Sequence, residues 1–299
     1  MTPPPEGLLL IDKPVGPTSH DIVSWVRRAC GQRRIGHSGT LDPAASGLLV
    51  LALGRATRLI RFLPSAPKLY EGTILFGRTT DSDDITGETL TDFDGELPSF
   101  ETICTQSEAF LGRSMQTPPN YSARKVDGQR LYRLARKGQS VEAPAKEIEV
   151  SSWEWTANES SDDPNAPLPF KMAVSSGTYV RSLARDLGAK LGCGATLATL
   201  RRTEIGPLSV LTAIAPPDKS VREWNPTELV PMASIPLQLP RVELDDDRIA
   251  DDFRSGRAFQ LGISEGGDWI RVDDPAGSLL GVAERTESGW QPRVVIDAR

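Results

Sequence analysis

Residues 47–54 read GLLVLALG, an apolar run closed at both ends by glycine. The run is too short for a typical helix and suits a buried strand. Directly before it stands GHSGTLDP, residues 36–43, so one acid, Asp42, sits between a Gly/Ser/Thr turn and a core segment. Pro43 biases Asp42 away from helical geometry and towards a fixed extended or turn conformation. Gly36, Gly39 and Gly47 allow the backbone to come close to whatever binds there. Taken alone, Asp42 reads as a turn or cap residue before it reads as a catalyst. His37, five residues upstream, reads first as a loop or satisfied core histidine.

The segments on either side alternate strand and helix patterns. GLLLID, residues 7–12, is a short apolar run ended by the turn-forming KPVGPTS. In the following stretch Ile22, Val23 and Val26 recur at helical spacing, with Thr18 or Ser19 as the cap. RATRLIRFL reads as an amphipathic helix behind the buried strand, and KLYEGTILFG alternates as a strand. RTTDSDDITGE is an acidic polar loop, SFETICTQSEAFLGR a helix with an acidic start, and GQRLYRLARKG a further helix ended by Gly138. EIEVSSWEW and PFKMAVSSG alternate as strands. TYVRSLARDLGAKLG places Val180, Leu183, Leu187 and Leu191 on one helical face. LVPMASIPLQLPRVEL carries three prolines in ten residues and reads as a linker. Beyond it a short helix and several short strands form a β-rich module of about 60 residues, workable when docked on a larger partner.

At 299 residues the chain suits one large domain and one small one. Cys30, Cys104 and Cys193 are odd in number and far apart, which fits a reducing compartment and excludes a disulfide framework. The N-terminus has no basic region before an apolar one, and no stretch approaches the roughly 20 apolar residues of a membrane span. A soluble, cytoplasmic protein is expected. The net charge of −6 argues against a general nucleic-acid coat, but the charge is patterned. Residues 1–61 carry eight Lys/Arg against four Asp/Glu, residues 120–140 carry six against one, and residues 171–202 six against one. By contrast, residues 81–101 hold eight acids and no base, and residues 241–299 thirteen acids against eight bases. The three basic segments read as ordinary solvated faces, or as one positive face for a phosphate backbone if the fold unites them.

Several chemistries are absent from the sequence. There is no phosphate-binding GxxxxGK[ST], no GxGxxG after a strand and no GxSxG nucleophile turn. His20 and His37 are the only histidines, which excludes an imidazole-rich metal site. An enzyme built on this chain is therefore expected to work through carboxylates, with no metal and no cofactor. Tyr70 lies on a strand, where an aromatic side chain usually packs. Arg181 opens a helix, where its charge opposes the helix dipole, so a carboxylate partner is expected from Asp42 or Asp84. QTPPNYSARKVDGQRLY combines prolines, Tyr121 and three bases, a surface suited to RNA phosphate and base stacking, or simply a polar loop.

Five stretches, in order, resemble the TruB-type tRNA pseudouridine synthases: GLLLIDKPVGPTSHDIV, GHSGTLDPAASGLLVLALGRATRL, KLYEGTILFGRTTDSDDITGE, QTPPNYSARKVDGQRLYRLARKG and SSGTYVRSLARDLGAKLGCGATLATLRRTEIG. They span residues 7 to about 206. The resemblance implies an α+β pseudouridine-synthase fold with a central mixed, mainly antiparallel sheet flanked by helices. It also implies cofactor-free isomerisation of uridine 55 in the tRNA T loop. Carried over by motif, Asp42 is the essential nucleophile or base, Tyr70 packs on the flipped base, and Arg181 pairs with the catalytic carboxylate. His37 helps to hold the everted loop, and Lys13, Asp84, Arg124, Lys125 and Tyr179 join it as substrate-binding candidates. Ser38 and Ser82 stand where the family often has threonine, and both keep a hydroxyl. The tail, through FRSGRAF, resembles more weakly a PUA-type RNA-binding module. The expected division is a catalytic domain over 1–236 and a PUA-like domain over 237–299. The expected partner is the tRNA T-stem-loop, bound by a monomer without a membrane. Two rivals share parts of the pattern. A non-catalytic RNA-binding protein would not need Asp42 with Arg181, and a carboxylate glycosidase would need a second acid about 5–9.5 Å away.

Overall fold

The computed structural model describes residues 4–119, 121, 125–126, 129–130, 144–156, 166–261 and 267–296. The chain begins with β1 (Gly7–Lys13), α1 (Ser19–Ala29), β2 (Ile35–Ser38), β3 (Ala45–Leu53), a 3₁₀ segment (Gly54–Phe62), β4 (Lys68–Phe76) and the paired β5 (Arg78–Thr80) and β6 (Thr89–Asp92). There follow α2 (Phe100–Glu108), β7 (Gly112–Gln116), the short pair β8 (Lys125–Val126) and β9 (Gln129–Arg130), β10 (Lys146–Trp155) and β11 (Leu168–Val174). Then come α3 (Val180–Leu191), β12 (Ala195–Ile205), β13 (Leu208–Ser209) and β14 (Leu229–Val230). The C-terminal part holds β15 (Arg241–Glu243), α4 (Asp247–Arg254), β16 (Trp269–Asp273), β17 (Leu279–Thr286) and β18 (Gly289–Val295).

The unbroken apolar character of β3 follows from its position. β1 pairs antiparallel along one edge, and alternate residues of both strands enter two different cores. Leu49, Leu51 and Leu53 join Leu9 and Ile11 on the face covered by Ile22, Val23 and Val26 of α1 and by Val180, Leu183 and Leu187 of α3. Leu48, Val50 and Ala52 join Leu8 and Leu10 on the other face, under Ala56, Leu59 and Phe62 of the 3₁₀ segment. A strand covered on both sides needs apolar residues at every position, not at every second one. The second face is shared with the C-terminal module, since Leu279, Val282, Val294 and Ile296 pack into the same cluster.

The main sheet has ten strands, ordered β14-β1-β3-β12-β4-β11-β10-β7, with β2 on β3 and β13 on β12. Its pairs are antiparallel except β3 with β12, so the mixed, mainly antiparallel sheet expected for the fold is present. β15 to β18 form a separate four-stranded sheet. No helix among the described residues is long and apolar enough to cross a membrane.

Three expectations change in detail. RATRLIRFL is a 3₁₀ segment and not an α-helix. Its buried apolar side chains, Ala56, Leu59 and Phe62, recur every third position, which three residues per turn keeps on one face. The proline-bearing stretch after residue 229 is not a loose linker. Leu229 and Val230 pair with β1, Ile235 is fully buried, and the Gln238 amide donates to the Phe62 carbonyl at 2.9 Å. Arg271 then holds that stretch to the small sheet, donating to the carbonyls of Ile235 at 2.9 Å and Ala233 at 2.6 Å. Gln129–Arg130, at the start of the expected helix over GQRLYRLARKG, form β9, and the remainder of that helix lies outside the described residues.

Candidate active site

One edge of β3 is shared by two strands. β12 runs parallel to it at Ala45–Gly47, and β2 runs antiparallel to it at Val50–Leu53. Loop 39–44 fills the fork between them, and Asp42 lies at its centre. The loop is anchored from two sides. The Ser19 hydroxyl at the start of α1 donates to the Leu41 carbonyl at 3.0 Å and accepts from the Leu41 amide at 2.9 Å. Arg202 on β12, 1% exposed, donates through Nε to the Leu48 carbonyl at 2.9 Å and through Nη2 to the Gly39 carbonyl at 3.2 Å. Gly47 lies against the Arg202 backbone at φ +99°, where a β-carbon would collide, so glycine is required at the fork.

Arg181 approaches from α3. Its Nη2 lies 2.8 Å from Oδ2 of Asp42, with the arginine side chain 6% exposed and the aspartate 41% exposed. The guanidinium is fixed by the Ser82 carbonyl at 2.6 Å on Nη1 and the Tyr121 carbonyl at 2.9 Å on Nη2. Asp84 lies 3.7 Å away on the Nη1 side. A buried fork with acceptors at both ends can point in one direction only, so the Asp42 carboxylate is held with one oxygen towards the arginine. Of the two partners expected for Arg181, Asp42 makes the close contact. Asp84 is itself buried, and its Oδ1 accepts from Ser82, the Thr86 amide and the Thr86 hydroxyl. It therefore braces the acidic loop beneath Arg181 and does not face outward as a second working carboxyl.

The pair opens onto a cleft of about 280 Å³ lined by Gly39, Asp42, Lys68, Tyr70, Tyr179 and Arg181 among others. Tyr70 on β4 is opposite Met172 of β11 and Arg202 of β12, with its side chain forming the cleft wall where the core ends. Tyr179 immediately precedes α3. Its backbone is clamped by Gln116, whose Oε1 accepts from the Tyr179 amide at 2.9 Å and whose Nε2 donates to the Tyr179 carbonyl at 3.0 Å.

The other expected site residues stand further back. His37 is on β2, half-buried, and its Nδ1 has no hydrogen-bond partner among the described residues; burial pushes its pKa below the usual histidine value. Lys13 is fully buried at the end of β1, and its ammonium donates to the carbonyls of Pro14 and Pro17, both at 2.9 Å. Burial lowers its pKa to about 8, opposed by the nearby charge of Asp42. Lys125 falls in β8, and Arg124 lies outside the described residues.

Two residues of the site escaped the sequence reading. Arg202 counted only as one charge of a basic segment, although its place between β3 and β4 sends it under the Asp42 loop. Lys68 lines the cleft two residues before Tyr70 and therefore on the same face of β4. The two-residue spacing within KLYEG carried that signal.

Comparison with known proteins places the chain in a family. Residues 27–180 match the TruB family pseudouridylate synthase N-terminal domain, and residues 181–215 match the tRNA pseudouridylate synthase B C-terminal domain. Asp42 and Tyr70 fall in the first match, and Arg181 opens the second. The chain is 41% identical to the tRNA pseudouridine synthase B of Synechococcus elongatus, over 98% of this chain and 99% of that protein. It is 39% identical to that of Thermobifida fusca, over 97% of this chain and 98% of the other. Its fold is similar to a chain in the structure of an H/ACA ribonucleoprotein bound to a substrate RNA containing 2'-deoxyuridine. That chain has a TM-score of 0.70 and 23% identity, over 98% of this chain and 86% of the other. A chain of a Cbf5-Nop10-Gar1 complex gives a TM-score of 0.68 over 98% of this chain and 84% of that one. A matching family profile over residues 27–180, near-full-length relatives and the shared fold lead to one conclusion: the chain belongs to the TruB family of pseudouridylate synthases.

Proposed function

We propose that this protein isomerises uridine 55 in the T loop of tRNA to pseudouridine, with Asp42 as the nucleophile or base and no cofactor. The observation that carries the reading is the Asp42–Arg181 pair, buried on the arginine side and open on the carboxylate side to a cleft walled by Tyr70. The relatives' shared name, tRNA pseudouridine synthase B, supports tRNA as the substrate.

The chemistry is an exchange within one nucleotide. The bond from ribose C1′ to uracil N1 breaks, the uracil turns while held, and C1′ bonds to C5. The proton leaves C5 and N1 gains one, so mass is unchanged. Three routes begin at the same carboxylate: attack on C1′, attack on the uracil ring, or proton removal from the sugar. Each needs a carboxylate of fixed direction beside the target base, which Arg181 supplies. Extracting the base from its stack costs a few kcal/mol. Packing on Tyr70 returns about 1–3 kcal/mol, the range for base stacking on aromatic side chains. A glycosidase would need a second outward carboxyl, and Asp84 is committed to its own loop. Lys13 and Arg202 act from beneath, holding the 14–17 turn and the Asp42 loop.

In the same reading residues 1–236 are the catalytic domain and residues 237–299 a PUA-like module that contacts RNA beyond the T-stem-loop, the whole acting as a monomer. The test is incubation with an unmodified tRNA transcript carrying tritium at uridine C5. Tritium released to water with no free uracil supports isomerisation, whereas release of uracil overturns it in favour of glycosidic hydrolysis.

A further inference from the structure

Lys68 is a cation whose ammonium has no partner among the described residues, and its nearest charged neighbours are also cations. Its main chain is paired on both sides of β4, but its ammonium makes no hydrogen bond or ion pair with another described residue, although it lines the cleft beside Tyr70. A methyl group added to Gly39 would lie 3.6 Å from its Nζ and 3.7 Å from Nη1 of Arg202, so the two positive groups converge on that glycine. The Arg202 side chain donates to the main-chain carbonyls of Leu48, Thr40 and Gly39 and makes no ion pair with a carboxylate among the described residues. Lys146, on the neighbouring rim, donates to the Ser176 carbonyl at 3.1 Å and likewise makes no ion pair with an acid among the described residues. Burial, then Arg202 and Lys146, push the Lys68 pKa down to about 8. Charge left uncompensated in a half-buried wall is costly, and an anionic ligand removes that cost.

We propose that Lys68, backed by Arg202, is a phosphate-binding position in the cleft, which takes a backbone phosphodiester of the RNA beside the nucleotide whose base lies on Tyr70. The spacing fits. Residues i and i+2 of a strand share a face and stand about 6.6 Å apart at 3.3 Å per residue, comparable to the reach from a base to its own backbone phosphate. Asp42 and Arg181 satisfy each other across the cleft, which leaves Lys68 as a cation of the cleft lining with no acidic partner among the described residues. The site thus separates two tasks: Asp42 works on the nucleotide while Lys68 registers the backbone. This rests on the functional reading above and extends it to how the substrate strand is set.

The test uses the full chain and a synthetic T-stem-loop in which the linkages flanking the target uridine are replaced, one at a time, by neutral methylphosphonates. With wild-type protein, neutralising one linkage is expected to raise KM about tenfold, the effect of one charge-assisted contact. Lys68→Gln is expected to raise KM by about the same factor on the natural stem-loop, with no further rise on the neutral linkage. Lys68→Arg keeps the charge and is expected to restore most of the KM effect, which separates phosphate binding from a folding defect. A wild-type KM for Lys68→Gln overturns the inference, as does an additional tenfold loss when that variant meets each neutral linkage. In either case wild-type turnover leaves the isomerase reading standing. No pseudouridine from the wild-type protein on the natural stem-loop overturns both.

Discussion

Asp42 and Arg181 come from segments 139 positions apart and meet at 2.8 Å. The carboxylate is partly exposed and its partner almost wholly buried, so the arginine is held in place whatever meets the carboxylate from the cleft. Its three close acceptors, Asp42 and the carbonyls of Ser82 and Tyr121, need a planar fork. Lysine offers a point charge in its place, and each buried acceptor left unpaired costs about 1–3 kcal/mol. Arg181→Lys is therefore expected to lower kcat about 100-fold while changing the dissociation constant for tRNA about threefold or less; single-turnover assays and filter binding check the two separately. Wild-type kcat in this variant would leave Arg181 a structural role only. At this scale the sequence was legible where chemistry is local. Asp42 before a proline and Arg181 at a helix start were both conspicuous, though only the family resemblance raised Asp42 above a turn residue. Lys68 and Arg202 were not legible as site residues, because their roles depend on which strands flank β3 and β4.

Among the elements, α1 shows how a local signal places a distant one. The Thr18 side chain accepts from the Asp21 amide at 3.0 Å, while the Asp21 carboxylate accepts from the Thr18 amide at 2.9 Å. This capping box fixes the start of the helix, and Ser19 at that start grips Leu41 of the Asp42 loop. Thr18→Ala is expected to cost about 1 kcal/mol of folding stability, read as a lower urea midpoint at unchanged slope; no shift would show that the cap does not set the helix start. Periodicity revealed the strands and α1, α2 and α3, because each buries a face of one regular period. It did not separate 3₁₀ from α over Gly54–Phe62, since apolar residues at i, i+3 and i+6 satisfy both over nine residues. The prolines after residue 229 suggested a linker because proline marks irregular backbone. The segment is irregular, yet it is bound at Leu229 to the large sheet, at Ile235 to the shared apolar core and at Gln238 to the 3₁₀ segment.

For the whole molecule, strand order was the least legible property. β12 enters between β3 and β4, about 150 residues later in the chain than β3, and no local pattern encodes that insertion. The same long-range pairing makes the fork that holds Asp42. The small sheet is joined to the large one by a common apolar cluster, by Arg55 and Arg58 donating to the carbonyls of Ile296 and Val295, and by Phe62 against Trp269 at 5.3 Å. A shared core couples the two parts energetically, so calorimetry is expected to show one cooperative unfolding transition; two resolved transitions would mean that the sheets unfold independently. The central claim, that this architecture exists to present one carboxylate to one nucleotide, is tested most directly by Asp42→Asn. Purified variant and wild-type protein are incubated with the same unmodified tRNA transcript, and pseudouridine at position 55 and tRNA binding are both measured. The expected result is pseudouridine from the wild type, none from the variant, and nearly equal binding by both; appreciable pseudouridine from the pure variant would contradict the catalytic role of Asp42.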